Sequence, residues 1–138
     1  MADNVTNAKT AAPAPTTPFT DEDLAHFRRI ILAKRQSAME EIDWMKRQLD
    51  DAREQASNES AYSLHMADAT SDMMELEKLY LMMARQQKYV GYLNRALDRI
   101  EGKTYGICKV SGKPIPKERL EAVPHTEVSI ETKRRQKG

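Results

Sequence analysis

The chain has 138 residues, with 22 Lys and Arg against 21 Asp and Glu and a formal net charge of +1 at pH 7. A chain of this length holds one ordinary domain, and a near-neutral charge argues against a general binder of nucleic acid or membranes. A single cysteine excludes an intrachain disulfide, and no apolar run approaches the roughly 20 residues that cross a bilayer, so we expect a cytoplasmic protein without a membrane partner.

The first predicted helix follows a polar tail. Residues 1–19 are small, polar and rich in proline, which predicts disorder. Thr20 suits a helix N-cap, and the three acids after it favour a helix N-terminus. No proline or glycine interrupts residues 21–57, and apolar residues recur every seventh position. This spacing predicts a long helix with a packing seam through Leu24, Ile31, Ala38, Met45 and Ala52.

A second long helix is predicted from Thr70 or Ser71 to Gly102, with a heptad seam that Gln86 interrupts. The Ser- and Asn-rich residues between the helices indicate a turn. Because two long helices joined by a short connection lie antiparallel, residues 20–102 are predicted to form a coiled-coil hairpin with its tip at about 58–70. A methionine-rich stretch of the second helix is expected to fill the core, at Met73, Met74, Met82 and Met83.

The segment 103–138 is predicted to form a small α+β base. Glycines and prolines indicate short strands and turns, then a helical turn from Pro116 to Leu120 and a short helix over about 126–135. Apolar residues predict the core of the base: Ile107, Val110, Ile115, Leu120, Val123, Val128 and Ile130.

The base contains the outline of a four-cysteine zinc site with a single thiol. Cys108 and Ser111 have the spacing of a Cys-x-x-Cys pair, and Ser129 and Thr132 repeat that spacing. Hydroxyls are poor zinc ligands, and His125 would add only one more, so no bound metal is expected. The prediction is a buried, apolar Cys108 beside hydrogen-bonded hydroxyls. The predicted fold class is therefore mainly α, a long antiparallel hairpin on a zinc-finger-like base that lacks zinc ligands.

The stretch "YGICKVSGKPIPKERLEAVPHTEVSIETKRR" resembles the C-terminal region of the DksA/TraR family of bacterial transcription factors. The shared features are the Tyr-Gly-x-Cys start, the turn from Gly112 to Ile115, "RLEAVP" at 119–124, and Lys133 after the second pair. The resemblance covers residues from about 20 to 135. It implies that the finger positions are the family's zinc ligands with three replaced, and that the fold is kept without the metal.

The resemblance also implies a partner and a mechanism. Proteins of this family bind RNA polymerase and insert a coiled-coil hairpin into its secondary channel, which brings an acidic tip near the catalytic magnesium. Their tip carries an Asp-x-x-Asp-x-Ala pattern 40 residues before the first finger cysteine. Asp68 lies 40 residues before Cys108 and matches the second aspartate, whereas His65 and Thr70 replace the first aspartate and the alanine.

Basic residues admit two interpretations. Arg85 and Lys88 form a solvated helix face or contact polymerase in the channel, and Lys133 matches a family lysine near the junction of hairpin and base. Family members that respond to guanosine tetraphosphate use basic residues there. The arginine of their "RLEARP" variant is Val123 in this chain, and its loss argues against that ligand.

The sequence offers no catalytic residues, since it lacks a Gly-rich phosphate loop, a nucleophile elbow and a carboxylate pair, and we expect no enzyme. The predicted function is transcription regulation by a monomer that binds RNA polymerase and not DNA. The alternatives are a Gre-like stimulator of transcript cleavage and a structural or adaptor coiled coil.

Overall fold

The computed structural model describes the backbone of residues 16–58 and 66–137. Within these ranges, β-structure is limited to an isolated antiparallel bridge between Ile107 and Pro114. The mainly α prediction is confirmed, but the short strands predicted for the base are reduced to this bridge, because close turns leave too few residues for strands. The four helices are α1 (Asp21–Asn58), α2 (Met66–Glu101), α3 (Lys117–Ala122) and α4 (Ile130–Lys137).

The chain divides into two compact units. The first contains the described residues of Met1–Ile31 together with those of Arg95–Gly138, and the second contains the described residues of Leu32–Asn94. The predicted division at residue 102 follows the order of the chain, whereas the first unit also takes in the start of α1 and the end of α2. No helix in the described residues has the length and apolar character needed to span a membrane.

The start of α1 has the predicted cap. The backbone N–H of Asp23 donates to Thr20 Oγ1 at 3.1 Å, and the Thr20 N–H donates to Asp23 Oδ2 at 3.3 Å. This reciprocal pair satisfies two donors at the helix end. A hydrogen bond from Lys103 lowers the pKa of Asp21, and one from Lys117 lowers that of Asp23, so basic residues far along the chain also contact this end.

An aromatic cluster forms the core of the first unit. Phe27 packs against Phe19 with ring centroids 5.7 Å apart and against Tyr105 at 5.5 Å. The buried Tyr105 hydroxyl donates to the Pro124 carbonyl at 2.7 Å, and burial raises the pKa of Tyr105 well above its usual value. The hydroxyl is therefore a permanent donor that fixes the chain near the end of α3.

The core of the base differs in part from the prediction. Ile115 and Leu120 are fully buried, but Val110 and Ile130 are 59% and 45% exposed. The aromatic cluster contributes to the core of this unit, and its Phe19 belongs to the predicted disordered tail. The prediction of disorder is wrong for residues 17–19, since the Thr17 N–H also donates to the Lys103 carbonyl at 2.8 Å, while residues 1–15 lie outside the described residues.

The second unit contains the predicted antiparallel hairpin. Glu41 of α1 accepts a hydrogen bond from Gln86 of α2, and the Arg53 guanidinium donates to the Tyr80 hydroxyl. Later residues of α1 thus meet earlier residues of α2, as antiparallel helices require. The predicted seam on α1 is buried at Ala38 and Met45 and half-buried at Ala52, and the neighbouring Ile42 and Leu49 are also buried.

Two details of α2 differ from the prediction. The helix begins at Met66, four residues before Thr70, and residues 59–65 of the predicted tip lie outside the described residues. Met73 and Met74 do not fill the core, because each is 67% exposed. Their positions turn away from α1, since the seam on this part of α2 is formed by Leu76, Leu79 and Met83.

Gly106→Ala is expected to destabilise the protein more than Gly112→Ala. Both glycines have positive φ, at 85° and 73°, so a side chain costs about 1–2 kcal/mol at either position. A Cβ at Gly106 would also overlap the Phe19 ring, whereas one at Gly112 meets nothing within 4 Å. Displacing Phe19 from Phe27 adds about 1–3 kcal/mol. Urea unfolding of the two variants measures the difference, and equal losses would contradict this packing.

Candidate functional site

The four residues at the finger positions meet in the first unit. Cys108 Sγ lies 3.3 Å from Thr132 Oγ1 and accepts the backbone N–H of Ser111 at 3.4 Å. The Ser129 hydroxyl donates to Thr132 Oγ1 at 3.0 Å. Cys108 is fully buried, as predicted, but its sulfur is surrounded by hydrogen-bonding groups rather than by an apolar shell. We call these four residues the finger cluster.

A tight turn brings Ser111 back to the sulfur of Cys108. The Gly112 N–H donates to the Cys108 carbonyl at 2.8 Å, and the Cys108 N–H donates to the Lys113 carbonyl at 2.9 Å. Gly112 adopts the left-handed conformation that closes this turn. The Ser111 hydroxyl also supports the turn, since it accepts the Lys113 N–H at 3.3 Å.

The second pair of the cluster caps a helix. Ser129 precedes α4, and its hydroxyl accepts the Thr132 N–H at 3.3 Å. Its carbonyl accepts the Lys133 N–H at 3.0 Å. The three-residue spacing of a metal-binding cysteine pair is also the spacing of an N-cap and its third helical residue. Hydroxyls at this spacing therefore stabilise the start of α4 without a metal.

The finger cluster favours a thiolate. Burial acts to raise the pKa of Cys108, but hydrogen bonds from Ser111, from Thr132 and from the backbone of Ser129 lower it from 9.0 to about 5. The N-terminus of α4 acts in the same direction, because its free N–H groups stabilise nearby negative charge. The Thr132 hydroxyl is then the donor to Cys108 Sγ.

The residues of the cluster do not fit a structural zinc ion. Four thiolates at about 2.3 Å from zinc stand about 3.8 Å from one another, with the metal in the space between them. Here the Cys108 thiol contacts the Thr132 hydroxyl at 3.3 Å and the Ser111 backbone N–H at 3.4 Å, and the Ser129 and Thr132 hydroxyls bond directly at 3.0 Å. Nowhere in the described ranges do three His, Cys, Asp or Glu residues gather as metal ligands would.

A charged contact beside the cluster was missed by the sequence analysis. Arg99 Nη1 lies 3.3 Å from Glu127 Oε1, and Arg99 Nη2 donates to the His125 carbonyl at 3.3 Å. Lys109, next to Cys108, donates its N–H to the Glu127 carbonyl at 2.9 Å. Burial lowers the pKa of Arg99, but the nearby carboxylate opposes that effect. No spacing in the sequence links Arg99 to Glu127, which lie 28 residues apart.

The predicted tip and basic residues lie elsewhere. Asp68 and Thr70 belong to the first turns of α2, while His65 lies outside the described residues. Arg85 and Lys88 are exposed on α2 in the second unit, and Lys133 is exposed on α4 in the first. The structure thus brings the four finger positions together, whereas the roles of the tip and basic residues stay predictions.

Comparisons of the sequence with known proteins all point to one family. A model described as the prokaryotic dksA/traR C4-type zinc finger matches residues 103–136. The RNA polymerase-binding transcription factor DksA of Caulobacter vibrioides is 30% identical over 127 residues, covering 89% of this chain and 82% of that protein. YteA of Bacillus subtilis is 43% identical over 65 residues, but the match covers 47% of this chain and only 27% of YteA.

The fold agrees with a solved structure. Transcription factor DksA2 from Pseudomonas aeruginosa matches with a TM-score of 0.72 and 27% identity, over 84% of each chain. This chain departs from the C4 description of the family model at Ser111, Ser129 and Thr132, so its likeness to that finger does not extend to the ligands.

Thr132→Val is expected to destabilise the protein by about 1–3 kcal/mol, because it removes the hydroxyl shared by Cys108 and Ser129 in a buried site. The pKa of Cys108 should rise, which thiolate absorbance would report across a pH titration. Thr126→Val is unsuitable as a control, since Thr126 Oγ1 has its own partners. Lys133→Gln, at an exposed neighbouring position, should leave both quantities unchanged.

The same cluster predicts a pH dependence of stability. The folded-state pKa of about 5 lies below the ordinary 9.0, so the thiolate's contribution is complete above pH 9 and is lost as pH falls toward 5. The stability difference between the natural protein and Cys108→Ala should shrink over this window. A difference that stays constant, or grows toward low pH, would contradict a native thiolate.

Converting the three hydroxyl residues to cysteine should create a zinc site. Ser111→Cys, Ser129→Cys and Thr132→Cys together supply the missing thiolates at positions that already surround Cys108 Sγ. Metal analysis should find one zinc per triple variant and none in the natural protein. One tightly held zinc in the natural protein would show that the donor set had been misjudged.

Proposed function

The chain belongs to the DksA/TraR family, and we propose that it regulates transcription by binding RNA polymerase directly. Its relative in Caulobacter vibrioides is an RNA polymerase-binding transcription factor. The hairpin end enters the secondary channel of the polymerase and acts near the catalytic magnesium. The observation that carries the proposal is the antiparallel hairpin of the second unit, in a chain that aligns with that DksA over 89% of its length. A polymerase partner also implies a cytoplasmic location.

The helices have the reach that the mechanism needs. The 38 residues of α1 and the 36 residues of α2 are each on the order of 55 Å long at 1.5 Å per residue. A residue near the start of α2 is therefore carried far from the end of that helix. Asp68 is the third residue of α2.

Asp68 is the proposed effector residue. A carboxylate beside a bound Mg²⁺ can ligate the ion or compete for the groups that position it. His65 and Thr70 replace the other functional positions of the family's tip pattern, so a single acid is offered there. One carboxylate is a poor basis for recruiting a second metal ion, and this favours an effect on initiation over stimulated transcript cleavage.

Basic residues supply secondary contacts in this proposal. Arg85 and Lys88 are exposed on α2, where they can meet acidic groups of the channel, and Lys133 is exposed on α4. Val123 occupies the position of the family arginine, so a guanosine tetraphosphate would lack one bidentate phosphate contact. We therefore propose regulation without that ligand.

The base is proposed to work without zinc. The finger cluster replaces metal–ligand bonds with hydrogen bonds, and the Phe27–Tyr105 packing supplies a core. A chelator should then leave the protein folded and active. This independence from zinc would let the regulator act when the metal is scarce.

Asp68→Asn is expected to abolish the effect on open-complex lifetime at a ribosomal promoter while changing the affinity for RNA polymerase by less than about threefold, because it removes charge without volume. Asp43→Asn, an exposed acid on α1, is the matched control and should behave as the natural protein. Transcription in vitro with a filter-binding lifetime assay measures both.

Two outcomes would remove the proposal. If the natural protein fails to bind core RNA polymerase in a pull-down, the result favours the alternative of a structural or adaptor coiled coil. If it stimulates cleavage in backtracked complexes and Asp68→Asn does not, the carboxylate has been assigned the wrong role.

A further inference from the structure

The second unit carries a concentrated exposed apolar surface on α2. Met73 and Met74 are each 67% exposed, Leu81 is 68% exposed and Tyr80 is 40% exposed. The four residues lie within a nine-residue stretch of one helix. We call them the α2 patch. Scattered exposed apolar residues need no explanation, but a contiguous group of this kind marks an interaction surface.

Helical spacing makes the patch continuous. Met73 and Tyr80 are seven residues apart, as are Met74 and Leu81, so they form two adjacent lines along α2. Glu77 lies three or four residues from all four side chains and therefore stands at the centre. The seam toward α1 is formed by other residues, since Leu76, Leu79 and Met83 are the partly buried ones.

The charges around the patch indicate the chemistry of its partner. Residues 72–82 of α2 contain the exposed acids Asp72, Glu75 and Glu77 against the exposed Lys78. At one edge of the patch, the Arg53 guanidinium of α1 contacts Tyr80, whereas Glu77 lies at the centre. An apolar surface with an acid at its centre is complementary to one that presents apolar side chains around a lysine or arginine.

The size of the patch argues against a second copy as the main occupant. Four side chains, none more than 68% exposed, offer less area than the roughly 800 Å² per partner that a standard stable interface buries. In a symmetric dimer through this surface, Glu77 would also approach its own equivalent, which is unfavourable. The patch therefore suits one part of a larger interface.

Its position identifies that interface. Met73 follows Asp68 by five residues on the same helix, about 7.5 Å along the axis, and Leu81 follows by thirteen, about 20 Å. A partner that engages Asp68 must pass alongside these side chains. We propose that the α2 patch docks on an apolar, basic surface of RNA polymerase next to the site where Asp68 acts. This inference rests on the proposed function and assigns binding affinity to the patch and the effect on initiation to Asp68.

The decisive variants separate affinity from effect. The double variant Met74→Gln with Leu81→Gln removes apolar area without altering the seam, and Glu77→Lys reverses the central charge. The dissociation constant for core RNA polymerase should rise about tenfold or more for the double variant and about threefold or more for Glu77→Lys. Met39→Gln on α1, at a position 41% exposed, is the matched control. Its dissociation constant should change by less than about twofold, as expected for an ordinary surface substitution.

Measurements at a saturating concentration of the regulator separate docking on the polymerase from the effect on open-complex lifetime. At saturation, the double variant should shorten or lengthen open-complex lifetime as the natural protein does, because Asp68 is intact. Asp68→Asn should show the opposite combination, with binding kept and the effect lost. Circular dichroism melting checks that the double variant is folded, and if its melting temperature falls, Glu77→Lys alone decides.

Three results have clear meanings. If the natural protein binds polymerase and both variants bind equally well, the α2 patch is not a docking surface. If the natural protein sediments as a dimer that the double variant dissociates, the patch is covered by a second copy and the inference is overturned. If the natural protein does not bind polymerase, the proposed function fails, and with it the premise of this inference.

Discussion

The contact between Thr132 Oγ1 and Cys108 Sγ is the interaction on which the base depends. It joins the turn at Cys108 to the first turn of α4. In a four-cysteine finger, a zinc ion would link these two regions of the chain. A metal ion bonds strongly to four ligands at once, whereas each hydrogen bond contributes only about 1 kcal/mol net. The cluster therefore holds the turn and the helix in place but needs a core to support it.

That core is aromatic. Phe19, Phe27 and Tyr105 pack in series, and the Tyr105 hydroxyl reaches the Pro124 carbonyl. Gly106 is confined by this packing, because its left-handed backbone allows Phe19 to lie directly against it. Helix α1, residues before it and the segment after α2 thus share one hydrophobic core. This explains how a small finger without metal ligands reaches the size at which burial stabilises a fold.

The hairpin separates structural from functional surfaces. Its seam is apolar on both helices, with a polar contact between Glu41 and Gln86 where the heptad pattern is interrupted. This contact is exposed to solvent, so the buried apolar seam rather than the polar pair stabilises the packing of the two helices. Asp68 and the α2 patch lie on the same helix, so the 1.5 Å rise per residue fixes their separation along its axis.

Sequence alone determined the two long helices, the Thr20 cap and the shortage of zinc ligands, because heptad spacing, capping chemistry and donor identity are local properties. It also indicated which four residues share the finger cluster, through spacing and family likeness. Tertiary structure decided that Phe19 joins the core, that Val110 and Ile130 face solvent, and that Arg99 meets Glu127. It likewise exposed Met73 and Met74, which composition had suggested for the core. Such outcomes depend on which distant surfaces meet, and a pattern along one chain segment records only that a residue is apolar or charged, not what covers it.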